Sequence, residues 1–266
     1  MNTFAINGNW IEDPAHTFRS QALQFGAGIF ETIRVQGGAP LMWDAHLERL
    51  CNSARILGMD EGLDAQKLDN WTARLLSACG MDRCALKLLW VPGGGGGQAA
   101  FYFRPLEYTP LQRETGMRAG IGTIRRNPFS HITAHKTCNY LDNLLERECA
   151  KAAGMDEFLL LNIWDQVSEG TASNVFVQIE GQLFTPPVET GLLPGLMRRA
   201  ILESCGKIGI STGERLLTVE DLASAEGIYL TNSLMGFMPV SYFMGNCYDV
   251  KGPMVSEINA IIGLEE

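Results

Sequence analysis

The chain has 266 residues, 46% hydrophobic and 19% charged, a composition ordinary for a soluble globular protein of two modest domains. Its net charge of −9 and pI near 5.0 count against nucleic acid as a partner, since a phosphate backbone demands clustered Lys and Arg. A small anionic ligand stays open, because a few focused cations in a cleft suffice for it.

The chain opens with two short strands over 4–7 and 10–11 around a turn at Gly8-Asn9, where Asn-Gly between apolar flanks is a hairpin signal. Residues 28–35 alternate with period two and end at Gly37-Gly38-Ala39-Pro40, which reads as a strand entering a turn. Leu47, Leu50, Ala54 and Leu57 recur at helical spacing over 43–57, and a second helix is expected over 65–78. Strands at 85–91 and 99–104 flank five glycines, Gly93 to Gly97. That run lacks the Lys-Ser/Thr of a nucleotide loop and joins two strands, so it reads as a hairpin loop.

Pro105 to Pro110 has the look of an extended connection, giving domains at 1–106 and 116–266 with a linker over 107–115. The second domain is expected to hold a strand at 117–124 and a helix at 140–153 with Leu141, Leu144, Leu145, Glu148 and Ala152 at fitting intervals. Strands follow at 157–162, 174–179, 182–185 and 227–231, with a helix at 195–208. Hairpins interspersed with helices indicate α+β or mixed α/β architecture, not a parallel doubly wound sheet.

No apolar run reaches the ~20 residues of a membrane span, and the N-terminal residues do not form a secretion signal, so no membrane role and a cytoplasmic address are expected. Seven cysteines, odd in number and without a CxxC, read as reduced thiols. The four histidines, His16, His46, His131 and His135, show no metal-ligand spacing, so no metal is expected.

Four elements carry candidate chemistry. Lys136, in Thr133-Ala134-His135-Lys136-Thr137-Cys138-Asn139-Tyr140, sits between a loop and a helix start. A lysine becomes a nucleophile when burial or a neighbouring cation lowers its proton affinity; alone, such a lysine reads as a solvated surface residue. Val167-Ser168-Glu169-Gly170-Thr171-Ala172-Ser173-Asn174 sets a carboxylate among small hydroxyl residues at a strand mouth, equally readable as a polar turn. Gly191-Leu192-Leu193-Pro194-Gly195-Leu196-Met197-Arg198 leads into a helix whose first N–H groups make an anion seat, as many loop-to-helix junctions do. Asn232-Ser233-Leu234-Met235 ends a strand.

Together with Gln24-Phe25-Gly26-Ala27-Gly28-Ile29-Phe30-Glu31-Thr32 and His46-Leu47-Glu48-Arg49-Leu50, these elements resemble the class IV aminotransferase-like family of pyridoxal-phosphate enzymes, fold type IV, over nearly the whole chain. The resemblance implies a two-domain D-amino-acid aminotransferase-like fold whose second, barrel-like domain carries the Schiff-base lysine. It gives Lys136 the covalent link to pyridoxal 5'-phosphate and the proton transfers. Glu169 would face the pyridine nitrogen, and Arg49, the N–H groups of Leu196 and Met197, and the Ser233 hydroxyl would hold the phosphate. Tyr140 would bond the ring oxygen, and Leu192 would pack beneath the ring. Members of the family are homodimers.

Within the family, Asn232-Ser233-Leu234-Met235 and Arg126-Asn127-Pro128 are similar to aminodeoxychorismate lyases, which eliminate pyruvate to leave 4-aminobenzoate for folate synthesis. Thr32 is then implied as an aid to leaving-group protonation. The small anionic substrate's carboxylates would meet Arg126, ahead of Arg125 and Arg34, with Asn232 nearby. Phe30-Glu31 is shared with branched-chain and D-amino-acid aminotransferases, the alternative activity.

Overall fold

The computed structural model describes residues 4–10, 25–93 and 96–264, which divide into two compact units. Gln24 and His16, Ile11 of the second expected strand, and Gly94-Gly95 of the glycine run lie outside the described residues. The first unit comprises residues up to Glu107 together with His135–Asn139, and the second comprises Tyr108–Ala134 and Tyr140–Glu266.

The first unit is built on a six-stranded sheet ordered β2-β1-β6-β5-β3-β4. Its strands are β1 (Phe4–Ile6), β2 (Asn9–Trp10), β3 (Ile29–Gln36), β4 (Ala39–Pro40), β5 (Cys84–Val91) and β6 (Gln98–Arg104). The turn lies one residue earlier than expected: Asn7 and Gly8 both take positive φ, as a tight β1–β2 turn requires and as Asn and Gly tolerate, and Asn9 belongs to β2. The glycine run joins β5 to β6, as a hairpin connection.

One face of β3, β5 and β6 is apolar: Ile29, Ile33, Val35, Leu86, Leu88, Phe101 and Phe103 form the core. Two helices cover that face, α1 (Trp43–Ile56) through Leu50 and Ala54, and α2 (Ala65–Cys79) through Leu68 and Leu75. Asp64 caps α2 by accepting the Lys67 N–H at 3.1 Å, and Gly80 ends it in the left-handed region.

The second unit has a nine-stranded sheet ordered β12-β11-β10-β13-β14-β7-β8-β9, with β15 on β14. These strands are β7 (Met117–Arg126), β8 (Glu157–Asn162), β9 (Val167–Gly170), β10 (Asn174–Ile179), β11 (Gln182–Thr185), β12 (Thr212–Glu214), β13 (Gly227–Asn232), β14 (Gly236–Phe243) and β15 (Asn246–Cys247). Parallel pairs β14–β7, β7–β8 and β11–β12 stand among antiparallel ones, so the sheet is mixed. The sheet curls: β9 at one end turns directly into β10 near the other, closed by the Gly170 N–H donating to the Ser173 carbonyl at 2.7 Å.

Several expectations need correcting. Residues 110–115 of the expected linker form a helix, α3 (Pro110–Thr115), because Thr109 and Gln112 make a reciprocal capping box with proline in the first turn. The lysine segment, placed by sequence in the second domain, belongs to the first unit. Thr137 bridges Ile29, the Phe30 N–H donates to the Lys136 carbonyl at 2.8 Å, and the Cys138 N–H donates to the Gly28 carbonyl at 2.8 Å.

The helix expected near 140 is present as α4 (Leu141–Ala152), but its leucines are not its core face. Leu141, Leu144 and Leu145 are exposed at 66, 52 and 57%, while Asn143, Glu146 and Ala150 are buried. Glu146 earns its place by accepting the Thr123 and Ile124 N–H groups, each at 3.0 Å, which fixes α4 against β7. The remaining helices are α5 (Leu196–Ser204), α6 (Val219–Ala223) and α7 (Met254–Ile261); residues 205–208, expected to continue α5, form a tighter 3-10 turn.

Candidate active site

Side chains alternate along a strand, so residues paired across antiparallel strands share a face. The face of the first sheet opposite α1 and α2 carries Phe30, Thr32 and Arg34 from β3. Across from them stand Leu89, Lys87 and Ala85 of β5, and beyond those Ala100, Tyr102 and Arg104 of β6. The backbone bonds that dock the lysine segment on β3 bring the Lys136 Nζ over the Phe30 ring, 4.6 Å from its centroid. The Lys87 Nζ lies over the same ring at 4.1 Å. Two ammonium groups thus contact one aromatic ring, an attraction of about 0.5–1 kcal/mol each at partly exposed sites. Burial pushes the proton affinity of Lys87 down, with the Arg104 charge acting in the same direction and Cys138 opposing it. Asn139 donates from Nδ2 to the Gly26 carbonyl at 3.1 Å, and His135 Nδ1 meets Ser53 Oγ at 3.0 Å, so both flanks of Lys136 are tied down.

On the opposite face of β3, Glu31 points at α1. Arg49 grips it with both edges of a fork, Nε to Oε1 at 2.8 Å and an NH2 nitrogen to Oε2 at 2.6 Å. His46, one turn earlier on α1, brings Nδ1 to Oε2 at 2.6 Å. Burial alone would raise the Glu31 carboxyl, but the Arg49 charge and the hydrogen bonds from His46 and Arg49 outweigh it and hold the group at about 2. Burial pushes His46 down, against the pull of Glu31, and its Nε2 is buried without a hydrogen-bond partner.

In the second unit, Glu169 on β9 is buried. One oxygen is paired with Arg126 at the end of β7, and the other accepts the Leu193 N–H at 2.9 Å. Arg126 also reaches Asn143 Oδ1 at 3.4 Å. Tyr140 at the start of α4 is placed by its hydroxyl, which donates to the Thr171 carbonyl at 3.3 Å; Asn143 Nδ2 donates to the same carbonyl at 2.8 Å. Burial, reinforced by the Glu169 charge, pushes the Tyr140 phenol strongly up, so it stays protonated and a donor. The loop 171–173 is wrapped on a second buried carboxylate, Glu157. That group accepts the Thr171 N–H at 3.0 Å, the Ala172 N–H at 3.2 Å, the Ser173 hydroxyl at 2.8 Å, and the Thr171 hydroxyl.

Gly195 starts α5 with no side-chain cap, which leaves its first N–H groups without an acceptor inside the helix. A Cβ at Gly195 would collide with Asn174 Oδ1, while Asn174 Nδ2 donates to the Leu193 carbonyl at 2.9 Å. Glycine therefore lets the loop pack on Asn174. Thr231, paired with Asn174 across β10 and β13, has a buried Oγ1 with no partner, and Ser233 follows two residues on. Leu192 is fully buried.

The structure thus places Lys136 and Thr32 on one face of the first unit's sheet and Arg49 on the helix that covers the other face, while Tyr140, Glu169 and Arg126 stand together in the second unit. Two expected substrate contacts are otherwise engaged. Arg126 is committed to Glu169. Asn232 accepts the Leu234 and Met235 N–H groups at 2.9 Å each and donates to the Ala172 carbonyl at 3.0 Å and the Tyr108 hydroxyl at 3.2 Å. All four hydrogen-bonding positions of that amide are taken, so it anchors the turn after β13 and has none left for a substrate. Arg125 pairs with exposed Asp165 at 2.9 Å, and buried Arg34 contacts Gln36 at 3.3 Å. Lys87, Glu31, His46 and Glu157 were missed in the sequence as site residues. No cluster of metal-ligating side chains occurs among the described residues, and none of their helices is long and apolar enough to cross a membrane.

Comparison with known proteins locates this arrangement. The family model for amino-transferase class IV matches residues 28–243. A putative branched-chain-amino-acid aminotransferase of Methanocaldococcus jannaschii is 30% identical over 257 residues, covering 92% of this chain and 89% of its own. An aminodeoxychorismate lyase of Bacillus subtilis is 27% identical over 250 residues, covering 88% of this chain and 84% of its own. The crystal structure of the Escherichia coli branched-chain amino acid aminotransferase superposes with a TM-score of 0.90 at 25% identity, covering 99% of this chain and 94% of that one.

Proposed function

The chain belongs to the class IV aminotransferase family, and on that premise we propose that it is a 4-amino-4-deoxychorismate lyase, releasing pyruvate and 4-aminobenzoate. Members of this family depend on pyridoxal phosphate, which when bound supplies an electron sink for the carbon that loses a proton.

The residues present fit that cofactor. Lys136 offers a primary amine held by its backbone and by the Phe30 ring. Glu169 is buried with one oxygen on Arg126 and the other on the Leu193 N–H, a carboxyl of the kind that would partner a protonated ring nitrogen. Thr231 Oγ1, buried and unpartnered, and the uncapped start of α5 are donors awaiting an acceptor such as a phosphate, beside Ser233. By the resemblance, Arg49 would add a guanidinium to the phosphate, Tyr140 would give the ring oxygen the phenol hydrogen that it now donates to the Thr171 carbonyl, and Leu192 would form an apolar floor.

The observation that carries the lyase reading is the sheet face around Lys136. It carries Lys87 between the hydroxyls of Thr32 and Tyr102, with Arg34, buried and bonded to Gln36, and Arg104, paired with Glu107 at 2.6 Å, in the neighbouring register. A face of that kind suits a substrate with two carboxylates and is poorly matched to the apolar side chain of a branched-chain amino acid. Lys136 would then take the ring proton at C4, the bond from the ring to the enolpyruvyl oxygen would break, and that proton would pass from Lys136 through the Thr32 hydroxyl to the leaving group, which restores both residues. The aromatic product drives the step. Lys87, rather than Arg126, is the carboxylate partner this geometry favours.

An aminotransferase is the second reading, favoured by the likeness to the Methanocaldococcus protein. Supplying aminodeoxychorismate and measuring pyruvate and 4-aminobenzoate decides between them, alongside branched-chain and D-amino acids with 2-oxoglutarate. Fast transamination without pyruvate would sink the lyase reading.

A further inference from the structure

The alternation of β3 puts a carboxylate on the core face, in phase with Ile29, Ile33 and Val35 and directly across from Leu88. Burying a charge there costs several kcal/mol unless partners repay it. Glu31 keeps its place because both its oxygens are occupied, by the Arg49 fork and by His46. The three side chains are graded in exposure: His46 at 0%, Glu31 at 1% and Arg49 at 15%. Of the three, only Arg49 reaches outward. Two parallel bonds through Nε and one terminal nitrogen fix the plane of the guanidinium and its rotation about the side-chain axis, which a single contact cannot do.

We propose that Glu31, backed by His46, is a positioning residue that fixes the plane in which Arg49 meets the cofactor phosphate. The proposal rests on the reading above that Arg49 binds that phosphate. Glu31 acts through Arg49 alone, so its contribution to cofactor binding disappears when Arg49 is absent. His46 holds Oε2 through Nδ1 at 2.6 Å, so the oxygen that meets the Arg49 terminal nitrogen has a second partner.

A double-variant cycle on the holoenzyme tests this, reading the dissociation constant of pyridoxal phosphate and the phosphorus NMR shift of the bound phosphate. Glu31→Gln should weaken binding about tenfold and move the phosphorus resonance, since one charge-assisted contact is misaligned. Arg49→Gln should weaken it at least as much, and the double variant should match Arg49→Gln within about twofold. If Glu31→Gln does not fold, Glu31→Asp, which withdraws the carboxylate by one methylene, should show a several-fold loss with the same resonance displaced. Unchanged affinity and resonance in either Glu31 variant, with Arg49→Gln impaired, would overturn the positioning role. Effects of Glu31 and Arg49 that multiply in the double variant would overturn it too. Unchanged affinity in Arg49→Gln would instead overturn the phosphate reading, and this proposal with it.

Discussion

Acid should unfold this protein in a window set by Glu31. In the fold its carboxyl is held at about 2, against an ordinary value of 4.5. A depressed carboxyl stabilises the folded state fully above the unfolded value, and that stabilisation is lost as pH falls through 4.5 toward 2. At about 1.4 kcal/mol per pH unit the whole gap amounts to roughly 3 kcal/mol, of which about 2 is gone by pH 3. His46 acts in the same sense. Burial lowers its proton affinity, so the unfolded chain takes up a proton first as pH drops below 6.5 and the fold loses ground there as well. Glu31→Gln removes the lower window only. At pH 7 it should cost about 3 kcal/mol, the usual result of stripping one partner from a buried ion pair, and the gap to wild type should shrink by about 2 kcal/mol at pH 3. Urea unfolding of both proteins at pH 7, 5, 4 and 3 measures this. A gap that stays constant from pH 7 to 3, or that closes above pH 5, would refute the reasoning.

Gly195→Ala should lower stability by about 1–3 kcal/mol, because the new Cβ displaces Asn174 from the Leu193 carbonyl; an unchanged Tm would contradict that close packing. Arg126→Met should cost about 3–5 kcal/mol by leaving buried Glu169 without its cation, whereas Arg125→Met, whose partner Asp165 is 75% exposed, should stay within about 0.5 kcal/mol of wild type. Thermal unfolding of the two variants side by side checks the contrast, and equal losses would count against it. Lys87→Met should raise the KM for aminodeoxychorismate about tenfold with a smaller effect on kcat; an unchanged KM would remove Lys87 as the carboxylate partner.

The long elements were legible because their periodicity is set by a single core. The apolar spacing of α1 and α2 and the alternation of β3 each follow from local patterning, and the turn between the first two strands was found to within one residue. Where a polar group was recruited to the interior, local pattern misled. The leucines of α4 suggest an apolar face, but Glu146 and Asn143 are the buried positions because backbone N–H groups and the Thr171 carbonyl need them. β9 is four residues of Val-Ser-Glu-Gly, too short and polar to read as a strand, yet its pairing to β8 is what aims Glu169.

Lys136 was legible as chemistry but not as topology, since only its non-local pairing with β3 assigns it to the first unit. Arg126 and Asn232 carry groups that a substrate would use, and only the register shows that Glu169 and the turn after β13 use them first. Glu31 did leave a signal: a carboxylate in the apolar phase of an alternating strand asks for a buried cation, and His46-Leu47-Glu48-Arg49 supplies it.

The central claim is that Lys136 carries the cofactor. Reducing the pyridoxal-phosphate-loaded protein with borohydride, digesting it and locating the phosphopyridoxyl group by mass spectrometry tests this most directly. The account predicts that group on Lys136, with none incorporated in Lys136→Ala. A label on Lys87, or undiminished labelling of the Lys136→Ala protein, would contradict it.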